Sequence, residues 1–208
     1  YFRGQHTVAS DTVCYPAKLT HGHIESLLDQ GVDFIFYPCE SYNLDEHDST
    51  NHYNCPVVAY YPELLKANNE RLSDGNFIMP YIDPNDEKTT VRALKKSLKK
   101  YKLSESQIKA GLKEGFARLE KYYRDVRDKG SEILEKAEKN DIPAIVLAGR
   151  PYHIDPEINH GIGKLLTSLN IAVLSEDSVF FKGKEVLVNV LNQWTYHARL
   201  YRAAEYAS

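Results

Sequence analysis

Three cysteines are the residues of this sequence best suited to chemistry: Cys14, Cys39 and Cys55. Each stands at local punctuation, in Cys14-Tyr15-Pro16, in Tyr37-Pro38-Cys39 after an apolar run, and in Asn54-Cys55-Pro56. An odd set of three in 208 residues argues against a disulfide framework. Two readings stay open on spacing alone: inert buried thiols, or thiolates holding a soft metal. Cys14 and Cys55 each precede an expected helix start, where the positive end of the helix dipole favours the thiolate. Thiolate donors suit zinc or an iron–sulfur cluster. His52, three residues before Cys55, makes a closed zinc site of three cysteines and one histidine conceivable. Without a fourth protein ligand, one metal position is left open for substrate or solvent.

The elements that must position these thiols follow from hydrophobic spacing. Leu19, Ile24, Leu27 and Leu28 recur at mainly helical intervals between Ala17 and Asp29, and Gly31 follows as a stop. Val32 to Tyr37 is a β-branched and aromatic run closed by Pro38, which reads as a buried strand. Residues 39–54, with Asn43, Asp45, Asp48, Ser49 and Asn51, form a polar loop long enough to be functional or disordered. A second helix is expected over 56–72 and a second short strand over 76–80, then turn chemistry at Asp83-Pro84-Asn85-Asp86. An amphipathic stretch covers 89–102. A long helix begins at the capping box Ser104-Glu105-Ser106-Gln107 and runs to about Asn140, with Gly111, Gly115 and Gly130 marking bends or close packing. Beyond Pro143 come an apolar strand over 144–148, a helix over 158–169, a strand over 171–174, a turn at Gly183 and a terminal helix from about Val188 that carries Trp194 as core.

Apolar strands alternating with helices predict an α/β fold of Rossmann-like lobes, each with a mostly parallel sheet. The expected division is a first lobe with the three cysteines over 1–86, a helical connection over 87–141 and a second lobe over 142–208. His21-Gly22-His23-Ile24 and His160-Gly161-Ile162-Gly163 each open a helix that leads into a strand, a weak echo between the two ends.

Composition narrows the function. With 26 Lys and Arg against 29 Asp and Glu, the net charge of −3 gives no electrostatic reason to bind nucleic acid or an anionic membrane. No apolar run reaches the ~20 residues of a membrane span, and the start is unlike a secretion signal. The expectation is a soluble, cytoplasmic protein.

Four strings carry a resemblance. They are Ser10 to Lys18 with His21-Gly22-His23; Phe36-Tyr37-Pro38-Cys39; Asn51 to Val58; and Ala148-Gly149-Arg150-Pro151-Tyr152-His153 with Asp155 to Gly161. The chain resembles the acyl-CoA dehydratase activase-related family, whose members are often described as 2-hydroxyglutaryl-CoA dehydratase activators of anaerobic bacteria. The same region is similar to the dehydratase component of 2-hydroxyacyl-CoA dehydratases, which holds a four-iron four-sulfur (4Fe-4S) cluster on three cysteines. The resemblance implies that Cys14, Cys39 and Cys55 are cluster ligands. It implies low-potential electron transfer or reductive activation of an acyl-CoA or other small-molecule substrate. It implies that the partners are ATPase activator modules of the same, longer polypeptide; no Gly-rich phosphate loop of the P-loop form occurs in this sequence. A lyase or oxidoreductase system would contain such a domain, which is no ATPase by itself.

Other residues are candidates for the pocket. Lys18, His21 and His23 fall in or near the first turns after Cys14, within reach of cluster sulfur or an acyl group, or simply in packing roles. Arg150, His153, Glu157, Asn159 and His160 follow a strand, either as a ligand-facing loop or as a structural turn capped by Asp155 and Asn159. Lys95 to Lys102 reads as a solvated face more readily than as a contact for CoA phosphates. Two non-redox alternatives remain: the structural zinc domain using His52, and a metal-free ligand-binding or interaction module.

Overall fold

The computed structural model describes residues 1–47 and 49–208; Asp48, one of the polar residues of the long loop, lies outside them. The chain divides into two units, residues 1–44 with 53–111 and residues 45–52 with 112–208. Both are built of helices and short parallel strands.

In the first unit a 3-10 turn over Phe2–Thr7 precedes α1 (Tyr15–Asp29), β1 (Ile35–Phe36), α2 (Pro56–Asn68), β2 (Phe77–Ile78) and α3 (Glu87–Ser97). The helix starts have clear causes. Cys14 and Cys55 are extended at φ −61°, ψ 152° and φ −66°, ψ 155°, and Pro16 and Pro56 sit in the first turns they introduce. Asp86 starts α3 by accepting the Thr89 N–H at 3.0 Å. α1 stops at Gln30, and Gly31 follows at φ 68°, where a side chain would be strained. The strands pair in parallel, with Ile35 opposite Phe77 and Phe36 opposite Ile78. The ladder continues past the regular strands, because Cys39 N donates to Pro80 O at 2.8 Å and Cys39 O accepts from Ile82 N at 3.0 Å. Ala17 and Ile24 of α1, Ile35, Tyr61 and Leu65 of α2, Leu72 and Phe77 form the core.

α4 (Glu105–Lys139) begins in the first unit and continues into the second. There it is followed by β3 (Ala144–Leu147), α5 (Ile162–Ser168), β4 (Ala172–Ser175) and α6 (Thr195–Ala207). β3 and β4 are parallel and in register from Ala144 opposite Ala172 to Leu147 opposite Ser175. Leu174, Val179, Phe180 and Ala203 make the core, with Ile133, Leu134 and Val146 against it. Segment 45–52 belongs to this unit: the Arg199 guanidinium donates to both Glu46 carboxylate oxygens at 2.7 and 2.6 Å, and Thr50 N donates to Asn192 O at 2.8 Å.

The α/β class expected from the sequence is present, but among the described residues each sheet has two strands. Three expectations are corrected. β3, an apolar strand expected in a sheet covered on both faces, is not fully buried: Ile145 is 37% exposed. The helix expected over 158–169 begins at Ile162, since Asp155 Oδ1 accepts from Glu157 N and Ile158 N in a turn, and His160 and Gly161 are left-handed at φ 54° and 75°. The terminal helix begins at Thr195 rather than Val188, and Trp194 is its half-buried N-cap rather than core.

Candidate functional site

All three cysteines lie in the first unit, each at the junction its sequence context implied. Cys14 is the N-cap of α1, Cys55 the N-cap of α2, and Cys39 extends β1 beyond its carboxyl end, paired with Tyr81. Their carbonyls do the ordinary work of a helix start, Cys14 O accepting from Lys18 N at 3.2 Å and Cys55 O from Ala59 N at 3.0 Å. Neither side chain is used in capping, so both thiols remain available beside a positive helix end. Cys14 is exposed, Cys55 half-buried and Cys39 fully buried.

Tyrosines connect the thiols electrostatically. Burial pushes the Tyr37 hydroxyl above its ordinary pKa, a bond with Thr20 opposes this, and negative charge at Cys39, Glu40 and Cys55 adds to the rise. Burial likewise raises Tyr61, with Cys14 and Tyr37 contributing. Tyr37 therefore feels two of the thiols and Tyr61 the third. Cys39 is itself pushed up by burial and by Glu63, against a hydrogen bond from Tyr81. Tyr81, raised first by its bond to Glu63 and then by burial, links that carboxylate to the Cys39 sulfur. A ligand that took Cys39 as thiolate would have to offset this loss of solvation with its own positive charge. Among the described residues, no three His, Cys, Asp or Glu side chains are grouped to hold a metal ion. His52, the histidine of the zinc alternative, lies in segment 45–52, its Nδ1 4.0 Å from an Asp45 carboxylate oxygen.

The remaining candidates divide between the units. His21 is 1% exposed and inside the core, with Nδ1 2.7 Å from Thr7 Oγ1 and Nε2 2.9 Å from the Tyr61 hydroxyl. Lys18 is half-buried and His23 exposed. Arg150, His153, Glu157, Asn159 and His160 lie after the carboxyl end of β3 in the second unit. There Arg150 N donates to His153 Nδ1 at 2.9 Å, and Asn159 Oδ1 accepts from Gly161 N at 2.9 Å. His153, Glu157 and His160 face solvent. Sequence reasoning did not single out Tyr37, Tyr61, Tyr81 or Glu63. Only Tyr37, inside the Phe36-Tyr37-Pro38-Cys39 string, carried a local signal; the others are 2 of the remaining tyrosines in a chain with 15 and a carboxylate on an ordinary helix.

The geometry defines an α/β fold with free thiols at two helix starts and one strand end. The chain belongs to the family described as CoA enzyme activase uncharacterised domain, which matches residues 1–179. That span includes every candidate cysteine and histidine named above and ends before α6. Neither the curated proteins nor the solved structures contain a match to it. No helix among the described residues is long and apolar enough to cross a membrane.

Proposed function

We propose that Cys14, Cys39 and Cys55 hold an iron–sulfur cluster, and that the domain serves low-potential electron transfer or reductive activation of an acyl-CoA-type substrate. The observation that carries this reading is the matched placement of Cys14 and Cys55, two extended N-caps whose thiols do no capping, with Cys39 between them in sequence at the end of β1. A four-iron cluster spreads its ligand sulfurs more widely than one ion does, so thiols on three separate elements suit it better than they suit zinc. When bound, the group supplies one-electron chemistry at low potential. The chain's own residues hold the sulfurs, exclude water around Cys39, and place the Tyr81 hydroxyl beside the Cys39 sulfur, where it tunes the potential. The membership in a CoA enzyme activase family supports partners of the same kind: an ATP-using activator module and a dehydratase-type acyl-CoA system in the cytoplasm.

Anaerobic reconstitution with iron and sulfide tests this directly. The expected outcome is about four iron atoms per chain with broad visible absorption, lost in the triple Cys→Ala variant. Equal and negligible iron in both proteins would sink the proposal, and zinc retention abolished by His52→Ala would replace it with the structural-zinc reading.

A further inference from the structure

The first unit carries a concentration of positive charge that its cysteines do not use. Residues 87–109 hold eight Lys and Arg against two Glu, in a chain whose net charge is −3. The fold gathers part of this charge around one groove of about 600 Å³. Glu87, Lys88, Arg92 and Lys95 of α3 line it together with Glu105 and Lys109 of α4, and Val91, 5% exposed, completes the wall. Lys88, Arg92 and Lys95 stand at i, i+4 and i+7, on one face of α3. Of the run from Lys95 to Lys102, Lys95 alone lines the groove, so the charge converges from two helices rather than from that run. Both helix starts are held from within. The Thr90 hydroxyl donates to Asp83 O at 2.6 Å and accepts from Asp83 N at 2.9 Å, and Ser104 N donates to Gln107 Oε1 at 2.9 Å. The ion pairs in the groove run to Glu105, from Lys109 at 2.9 Å and from Lys95 at 3.8 Å. Lys88 and Arg92 enter no ion pair among the described residues. Asp86, the carboxylate that feels Arg92, is bonded to the Thr89 N–H and hydroxyl at 3.0 and 2.5 Å. Like charges one turn apart with no anion between them repel and cost the helix stability. An anion of more than one charge, seated among them, removes that cost.

We propose that the groove between α3 and α4 binds the diphosphate group of a small ligand, with Lys88, Arg92, Lys95 and Lys109 as its cationic contacts. The planar Arg92 guanidinium bonds phosphate oxygens in pairs, and the three ammonium groups act as point charges around them. Two linked phosphates span cations on both helices, which a single phosphate does not. Glu105 competes with the ligand for Lys95 and Lys109, so the protein carries its own internal rival for the site. No cysteine takes part, and the site stands or falls apart from the iron–sulfur reading.

Calorimetric titration of the protein with inorganic pyrophosphate, ADP and inorganic phosphate, at constant ionic strength, tests the site. Pyrophosphate or ADP should saturate it and bind about tenfold or more tighter than phosphate. Tighter binding of ADP than of pyrophosphate identifies a nucleoside diphosphate as the ligand, and the reverse order identifies the bare diphosphate; either supports the proposal. Arg92→Gln should weaken binding about tenfold, as loss of a charge-assisted bond does, and Lys88→Gln several-fold. Glu105→Gln should tighten it several-fold by freeing Lys95 and Lys109, a change of sign that a damaged fold does not produce. Lys164→Gln makes the same change of charge on an exposed position of α5 and should leave the affinity as in wild type. The diphosphate that binds must also raise the wild-type melting temperature, a measurement that no variant's folding enters. Failure of both diphosphates to saturate, equal weakening by Lys164→Gln and Arg92→Gln, or weaker binding by Glu105→Gln than by wild type overturns the proposal.

Discussion

A count of hydrogens fixes the state of His21. The Thr7 hydroxyl has one proton and gives it to Gly4 O at 2.9 Å, so Thr7 Oγ1 accepts from His21 Nδ1–H. Nε2 is then bare and accepts from the Tyr61 hydroxyl at 2.9 Å. Burial lowers the His21 pKa, with the nearby Glu25 opposing, which agrees with a neutral ring. The Nδ1-protonated neutral tautomer should appear in nitrogen-15 spectra of the imidazole at pH 7.5; an Nε2-protonated ring would contradict the chain of bonds. His21→Phe removes the donor to Thr7 and the acceptor of Tyr61 together, inside a core where His21 is 1% exposed. The expected cost is about 2–4 kcal/mol, read as a lower urea midpoint at unchanged slope. None of this was legible in the string His21-Gly22-His23, which places two histidines near Cys14 without saying that one turns inward and the other outward. Helical spacing separates residues 21 and 23 by about 200°. That separation could have been drawn from the sequence, but which of the two faces the core could not.

At the scale of elements, the long helix separates glycines that look alike in sequence. A Cβ added at Gly130 would lie 2.5 Å from Ser178 O and 2.8 Å from Ser178 Cβ, so α4 can approach the turn after β4 only because that position lacks a side chain. At Gly111 and Gly115 an added Cβ meets nothing within 4 Å. Gly130→Ala should therefore destabilise by about 1–3 kcal/mol through a clash with backbone. Gly111→Ala and Gly115→Ala should each stabilise by up to about 1 kcal/mol, the usual gain in helix propensity. Thermal melts of the three variants decide this, and a common sign for all of them would refute the distinction. The same helix shows how far the sequence reaches. Its capping box, length and periodicity predict its span closely, because those are local properties of the chain. The start of α6 was not legible in the same way: Val186, Val188 and Val190 alternate at a period of two and resist helix formation, yet an apolar run before a helix is easily absorbed into it. Segment 45–52 is a tertiary matter altogether, because the pairing of Glu46 with Arg199 joins residues 153 apart in the chain. Glu46→Gln leaves Arg199, 2% exposed, without its counter-charge and should cost about 3–5 kcal/mol in the second unit.

For the whole molecule, the two units carry single buried groups whose linkage to pH runs in opposite directions. His21, in the first unit, has a depressed pKa, so its contribution to stability is present above its ordinary value of 6.5 and is lost as pH falls through its folded value. Glu176, in the second, is 3% exposed, and neither carboxylate oxygen has a hydrogen-bond partner. Burial pushes its pKa from 4.5 up to about 7, Arg199 opposing and Asp177 and Glu46 adding. Its contribution is fully present below pH 4.5 and is lost as pH rises through about 7. At about 1.4 kcal/mol per unit, the loss across that window is on the order of 3 kcal/mol. Other groups titrate alongside: burial raises Glu40 in the first unit and lowers His197 in the second, so each residue's share is read by difference. Calorimetric scans from pH 5 to 8 should resolve two transitions, one for each unit. Relative to wild type, Glu176→Gln should raise the second unit's melting temperature progressively as pH rises from 5 to 8 and leave the first unit's pH response intact. His21→Phe should do the reverse, flattening the acid-side fall of the first unit alone. A Glu176→Gln protein whose melting curve stays parallel to wild type at every pH would show that Glu176 is ionised in the fold, and would remove the buried carboxyl from any account of this unit's stability.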